Sequence, residues 1–404
     1  MNVLFLSLVF SDRKHVNFYE ELLEVFVKKG HKVFVVCAND SRSIEPDGLQ
    51  DWNGMKVLRI KTGAITGTTN VIKKGIATLS VDYYFKNALK ANFKNEKFDL
   101  ILYPTPPITL ANTIAWAKKY YGAKTYLMLK DIFPQNAVDL GMMTKSGVKG
   151  LIYKMFRKKE KFFYSISDII GCMSPANVKY VLDHNPEISA DKVEVCPNCL
   201  TVPTSEPSFK RDSSVLKEKF GIPQDAVIFL YGGNLGKPQG IGYLIDCLRY
   251  VKDNKKAYFL IIGEGSEYDK LKKYMDEEKP ENARLLNYMP KDEYQQISNQ
   301  CDVGLMCLDH RFTIPNFPSR ILNYLASGNP VLASTDANSD IGTIARDNGF
   351  GFCCESNDVE GFAKAVNDFV NADRESMGRK GWEFFKENWA VEKGYEIIMK
   401  HFNK

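Results

Sequence analysis

Histidine is scarce in this chain, at 5 of 404 residues, and acidic and basic side chains nearly balance, for a formal net charge of +5. The first shortage argues against a site built on clustered imidazoles. The second argues against a general basic coat, so no nucleic-acid partner is expected. No run of 18 uncharged apolar residues occurs, so no membrane-spanning helix is predicted. The 9 cysteines are odd in number and irregularly spaced, which predicts reduced thiols in the cytoplasm rather than a disulfide framework. Cys196 and Cys199 have the spacing of half a zinc site, but no second pair or histidine cluster completes it, so no metal is expected. Repeats of solenoid period and low-complexity tracts are lacking too. The opening MNVLFLSLVFSD lacks the basic start and small-residue cleavage site of a signal peptide, and predicts a buried first strand.

What is present is a chain long enough for two domains of about 200 residues. Its 44% hydrophobic and 25% charged residues are those of a soluble globular protein. Val3–Val9 is a continuous apolar run, as in a strand covered on both faces. An amphipathic helix follows through Phe18, Leu22, Leu23, Phe26 and Val27, with Lys28 and Lys29 in its last turn and Gly30 as its stop. Strands are predicted at Lys32–Ala38, Asp99–Tyr103, Lys124–Leu129, Ile169–Met173 and Val193–Val195, with helices at Thr109–Tyr121 and Pro175–Leu182. Residues 201–214 turn to Pro, Ser and Thr, as a linker would. A second series of strands follows at Ala226–Tyr231, Ala257–Ile262, Ala283–Leu286, Val303–Met306 and Pro330–Ala333, and Asp373–Phe402 is a long amphipathic pattern. Successive βα units predict an α/β chain of two Rossmann-like, doubly wound domains, residues 1–200 and 215–382, facing a central cleft at the carboxyl ends of their strands.

Three loops of the second half carry anion-binding chemistry. Tyr231–Gly240 (YGGNLGKPQG) follows a strand and precedes a helix, so its glycines allow close backbone approach and Lys237 offers charge. Its other reading is a glycine-rich turn closing a βα corner. Ile261–Gly265 (IIGEG) repeats the pattern, although Glu264 would repel phosphate and suits a cleft wall. Pro315–Ser334 (PNFPSRILNYLASGNPVLAS) opens a helix with Pro318, Ser319 and Arg320. Pro318 is expected at the first helical position, and the Arg320 fork matches a phosphate through two parallel hydrogen bonds. The alternative there is a capped helix with an exposed arginine. In the first half, Lys130 and Asp131 end a strand, where Asp131 suits a sugar hydroxyl or a proton, or else caps a turn. His15 in the loop after the first strand is a further candidate, with a structural role as its alternative.

Together these segments resemble the GT-B-fold retaining glycosyltransferases of family 4, across nearly the whole chain. Gly233–Ile241 aligns with that family's G-R-L-x-x-x-K-G-I, and Pro315–Val331 with its E-x7-E segment; Leu286–Pro290 resembles the base-holding segment, and Cys196-Pro-Asn198 the interdomain Pro-Asn. The departures are specific: Asn234 and Gln239 replace a phosphate-binding Arg and Lys, while Pro315 and Asn323 replace both glutamates. The pattern is most similar to a subgroup of bacterial O-antigen and capsule enzymes resembling the fucosamine transferase WbuB.

The resemblance implies a retaining transfer from a nucleotide sugar, UDP-linked, to an undecaprenyl-diphosphate-linked sugar, without metal or other cofactor. It implies donor contacts from Gly232, Gly233, Asn234, Gly240, Gly263, Glu264, Tyr288, Met289, Asn316, Phe317, Ser319 and Asn323. Arg320 and Lys237 would take the diphosphate charge, and Asp131 would orient the sugar, with Lys130 and His15 on the acceptor side. A terminal helix from about 383 to 404 is expected to return to the first domain. Plotted as a helix, 148–166 sets an apolar stripe of residues 148, 151, 152, 155, 156, 162, 163 and 166 among Lys149, Lys154, Arg157, Lys158, Lys159 and Lys161. This fits either a core-packed helix with a solvated basic face or a peripheral contact with the inner face of the cell membrane. The rival readings are a GT-B-fold nucleotide-sugar 2-epimerase and a glycolipid-binding relative that has lost turnover.

Overall fold

The computed structural model describes residues 1–12, 17–39, 45–62 and 71–402, so the His15 candidate lies outside the described residues. The chain divides into two compact units, Met1–Thr201 joined by Val391–Lys404, and Val202–Ala390.

Among the described residues the first unit holds eight strands: β1 (Asn2–Ser7), β2 (Lys32–Asn39), β3 (Gly48–Trp52), β4 (Met55–Lys61), β5 (Leu100–Thr105), β6 (Lys124–Leu129), β7 (Ile169–Cys172) and β8 (Val193–Val195). Its helices are α1 (Phe18–Lys28), α2 (Val71–Asn92), α3 (Ala111–Tyr121), α4 (Gln135–Asp139), α5 (Gly147–Ile166) and α6 (Pro175–His184). The strand order β3-β4-β2-β1-β5-β6-β7-β8 is parallel except for the β3–β4 hairpin. Alternation along β1 explains the layering. Val3 and Phe5 pack with Leu22, Leu23 and Phe26 of α1 on one face, while Leu4 and Leu6 join Val81, Phe85 and Leu89 of α2 on the other.

The second unit holds β9 (Val227–Gly232), β10 (Ala257–Ile262), β11 (Ala283–Leu286), β12 (Val303–Cys307), β13 (Val331–Thr335) and β14 (Gly351–Glu355) in the parallel order β11-β10-β9-β12-β13-β14. Its helices are α7 (Ser214–Phe220), α8 (Ile241–Tyr250), α9 (Tyr268–Glu278), α10 (Lys291–Ser298), α11 (Arg320–Ala326), α12 (Ile341–Asp347), α13 (Val359–Asn371) and α14 (Arg374–Asn388). Strand order reverses between β9 and β12, a switch point beyond whose carboxyl ends ligands of such sheets bind.

Two boundaries differ from the sequence expectation. The stretch 201–214 is no free linker after Val202, because Arg211 donates to the Ser327 carbonyl at 2.6 Å and the Asn299 carbonyl at 3.2 Å. The terminal amphipathic pattern is two helices. Arg374–Asn388 stays with the second unit, and only α15 (Val391–Met399) joins the first. There the His31 Nε2 lies 2.9 Å from the Tyr395 hydroxyl, and the Val391 amide donates to the Leu200 carbonyl at 3.1 Å.

Candidate active site

Register brings the predicted loops of the second unit together. Gly232, Ile262 and Leu286 are direct neighbours across β9, β10 and β11, so the loops that begin at Gly233, Gly263 and Asn287 leave the sheet at one level. Gly233 has φ +116°, a conformation costly for any side chain. At Gly263 a Cβ would stand 1.8 Å from the Gly233 carbonyl oxygen, so these loops meet backbone to backbone. The Leu235 amide donates to the Glu264 carbonyl at 2.8 Å, and the Glu267 amide to the Leu235 carbonyl at 2.8 Å. The Glu264 contribution is thus a backbone brace, with its side chain in solvent. Gly240 precedes α8, and Asn234 and Lys237 are exposed.

Arg320 is the charged centre of this rim. Its guanidinium carbon lies 4.4 Å from the Tyr231 ring centroid, and Nη2 donates to the Gln239 Oε1 at 2.7 Å. Nη1 is buried and has no hydrogen-bond partner. Burial disfavours the charge, yet Tyr231, Tyr324 and Tyr294 around it hold the pKa above the ordinary arginine value. At Gly233 nothing but this guanidinium lies within 4 Å of where a Cβ would stand. A buried unpaired donor of full charge beside open backbone is chemically suited to an anion.

One expectation about this segment changes. Pro318 is not the first helical residue; α11 begins at Arg320, and Ser319 is its cap residue without a side-chain cap bond. Gln239 takes one N–H of the Arg320 Nη2, and both N–H groups of Nη1 stay available. Asn323 is half-buried one turn into α11. The Asn316 amide donates to the Ser339 Oγ at 2.8 Å, and Phe317 packs edge-on against Trp389. Beyond β11, Tyr288 is 56% exposed and Met289 half-buried, while Asn287 accepts from the Tyr268 hydroxyl. The sequence reading missed Tyr294 and Tyr324, whose helical positions carry no local signal, and took Gln239 only as a lost cation.

In the first unit, the Thr105 Oγ1 accepts from the amides of Lys130 (3.1 Å) and Asp131 (3.4 Å) beyond β6. Burial pushes the Asp131 carboxyl up to about 6, against bonds from the Ile132 backbone and from Asn136, whose Nδ2 donates to Asp131 Oδ2 at 2.7 Å. Lys130 is half-buried and bonded to the backbone. Its Nζ donates to the Cys196 carbonyl at 3.1 Å, and burial lowers its pKa. Cys196 and Cys199 are buried free thiols.

Helix α5 divides the predicted stripe. Phe163 and Tyr164 enter the core and Phe156 packs on Phe133, but Val148 is 79% and Leu151 67% exposed, with Ile152, Met155 and Phe162 also exposed. Lys149, Lys154 and Lys158 lie exposed beside them. Arg157 serves the fold instead, bonding Glu160 Oε2 at 2.8 Å, the His184 carbonyl at 2.8 Å and Asn185 Oδ1 at 2.7 Å. Lys161 pairs with Glu187 at 3.0 Å, and Lys159 is half-buried. Among the described residues no helix is long and apolar enough to cross a membrane.

Comparison with known proteins agrees with this geometry. Residues 16–202 match the family model Glycosyltransferase Family 4, and residues 212–383 match Glycosyl transferases group 1. The fold is that of GT-B glycosyltransferases. A crystal structure of Anabaena HepE in complex with UDP superposes with a TM-score of 0.66 at 14% identity, covering 99% of both chains.

The chain is a glycosyltransferase. It is 26% identical over 330 residues to the probable glycosyltransferase WbjE of Pseudomonas aeruginosa, covering 79% of this chain and 78% of that one. The putative colanic acid biosynthesis glycosyl transferase WcaI of Escherichia coli is 22% identical over 271 residues, covering 67% of this chain and 66% of its own.

Proposed function

We propose that this enzyme transfers an N-acetylated hexose derivative from a UDP-linked donor to an undecaprenyl-diphosphate-linked sugar, with retention of configuration, in bacterial surface-polysaccharide synthesis. The observation that carries the donor side is the buried, unpartnered Nη1 of Arg320 beside the open Gly233. The names of WbjE and WcaI, and the UDP held by HepE on the same fold, support the substrate class. The resemblance to the WbuB subgroup supports the acceptor and the sugar class.

As the anomeric carbon–oxygen bond to the diphosphate breaks, charge grows on the leaving oxygens. Arg320 and Lys237 stabilise it as preoriented donors, so no metal is required. The acceptor oxygen bonds the anomeric carbon from the same face, and its proton leaves with the diphosphate. Asp131, ionised above about pH 6, accepts a hydrogen bond from a sugar hydroxyl. The exposed apolar face of α5 and its lysines hold the enzyme peripherally on the anionic inner leaflet, where the lipid-linked acceptor resides. The test is nucleoside diphosphate release from a panel of UDP-sugars with a polyprenyl-diphosphate sugar. Acceptor-dependent release is expected, and its absence with every donor would refute the reading.

A further inference from the structure

The residue that stands in place of the family lysine is not simply an absent charge. Gln239 is buried, and its Oε1 is aimed at Arg320. The Tyr231 hydroxyl lies 3.4 Å from that same Oε1 and donates to the Asn234 carbonyl at 2.8 Å, while the Tyr231 ring supports the guanidinium. One tyrosine therefore joins the glycine turn, the glutamine and the arginine. The guanidinium is held on its ring face and at Nη2, while Nη1 is buried without a partner.

We infer that Gln239 is a positioning residue that orients Arg320 toward the donor diphosphate, and that the pair transfers the cation from the β9–α8 loop to the start of α11. This rests on the donor-site reading above. A lysine at 239 would place an ammonium against the guanidinium in a poorly solvated site, where like charges repel strongly. An amide oxygen supplies the acceptor that the guanidinium needs and carries no charge to neutralise it. The local chemistry thus admits a cation at 239 or at 320, and not at both.

The test compares binding of UDP with binding of uridine by titration calorimetry, since the difference isolates the diphosphate. Gln239→Met, which keeps the volume and removes the oxygen, is expected to weaken UDP by about tenfold and leave uridine unchanged. Gln239→Lys is expected to weaken UDP in the wild-type background. In an Arg320→Met background the same change is expected to strengthen UDP, because the ammonium then takes the vacated place. UDP affinity of Gln239→Met within twofold of wild type would overturn the inference, as would a lysine effect of the same sign in both backgrounds. Should Gln239→Met fail to fold, the two lysine variants carry the test. If the wild type binds UDP no better than uridine, the donor-site reading is what fails. The pairing is then read without ligand, and additive effects of Gln239→Met and Arg320→Met on the unfolding midpoint would overturn it.

Discussion

The Tyr324 hydroxyl accepts the Gly232 amide at 3.0 Å and donates to the Leu305 carbonyl at 3.2 Å, tying α11 to the end of β9 and the middle of β12. Both backbone partners are buried. Tyr324→Phe leaves two polar groups unpaired, and a loss of about 1–3 kcal/mol in stability is expected by urea denaturation. A loss under about 0.3 kcal/mol would show that the hydroxyl carries no part of the brace.

Arg320→Ala removes the half-buried cation of the donor rim. Turnover is expected to fall by about 10²-fold or more, equivalent to about 3 kcal/mol of transition-state stabilisation. A change below about threefold would place the diphosphate elsewhere.

Asp131 gives a pH dependence of definite sign. Its folded-state pKa, raised from 3.8 to about 6, means that the folded chain holds this proton more tightly than the unfolded chain. Its contribution to stability is complete below about pH 4 and declines as pH rises toward about 6, by no more than about 3 kcal/mol. Wild type is therefore expected to lose stability relative to Asp131→Asn across that window. A difference curve flat from pH 4 to 7 contradicts the raised pKa. The rate of transfer is expected to show an acid limb near pH 6 that the variant lacks.

On α5 the informative lysines are Lys149, Lys154 and Lys158, because Arg157 and Lys161 are engaged within the fold. Each basic residue at an anionic surface contributes about 1 kcal/mol. Changing all three to glutamate is expected to abolish co-sedimentation with phosphatidylglycerol vesicles, and undiminished binding would remove α5 from the membrane contact.

Local pattern recovered most strands, and Lys124–Leu129, Val193–Val195, Ala257–Ile262 and Ala283–Leu286 match to the residue. The β3–β4 hairpin escaped notice because GLQDW is a half-exposed edge strand without an apolar run. Helix α2 did carry a signal in Val81, Phe85 and Leu89, spaced four apart on its buried side. The site was legible as loops and not as contacts. Glycines mark where backbone approaches a ligand, but the Gly232–Tyr324 and Arg320–Gln239 bonds join residues 92 and 81 positions apart. No periodicity encodes such pairs, and only the sheet's switch point brings them together.

The route of the chain sets an order on biosynthesis. The second unit is one uninterrupted segment, whereas the first needs Val391 onward to cover Leu22, Leu23 and Phe26 of α1. During translation the second unit is complete before the first. A nascent chain stopped at Ala390 carries a finished nucleotide-sugar unit and a first unit with part of its apolar core bare to solvent, a substrate for chaperones and proteases.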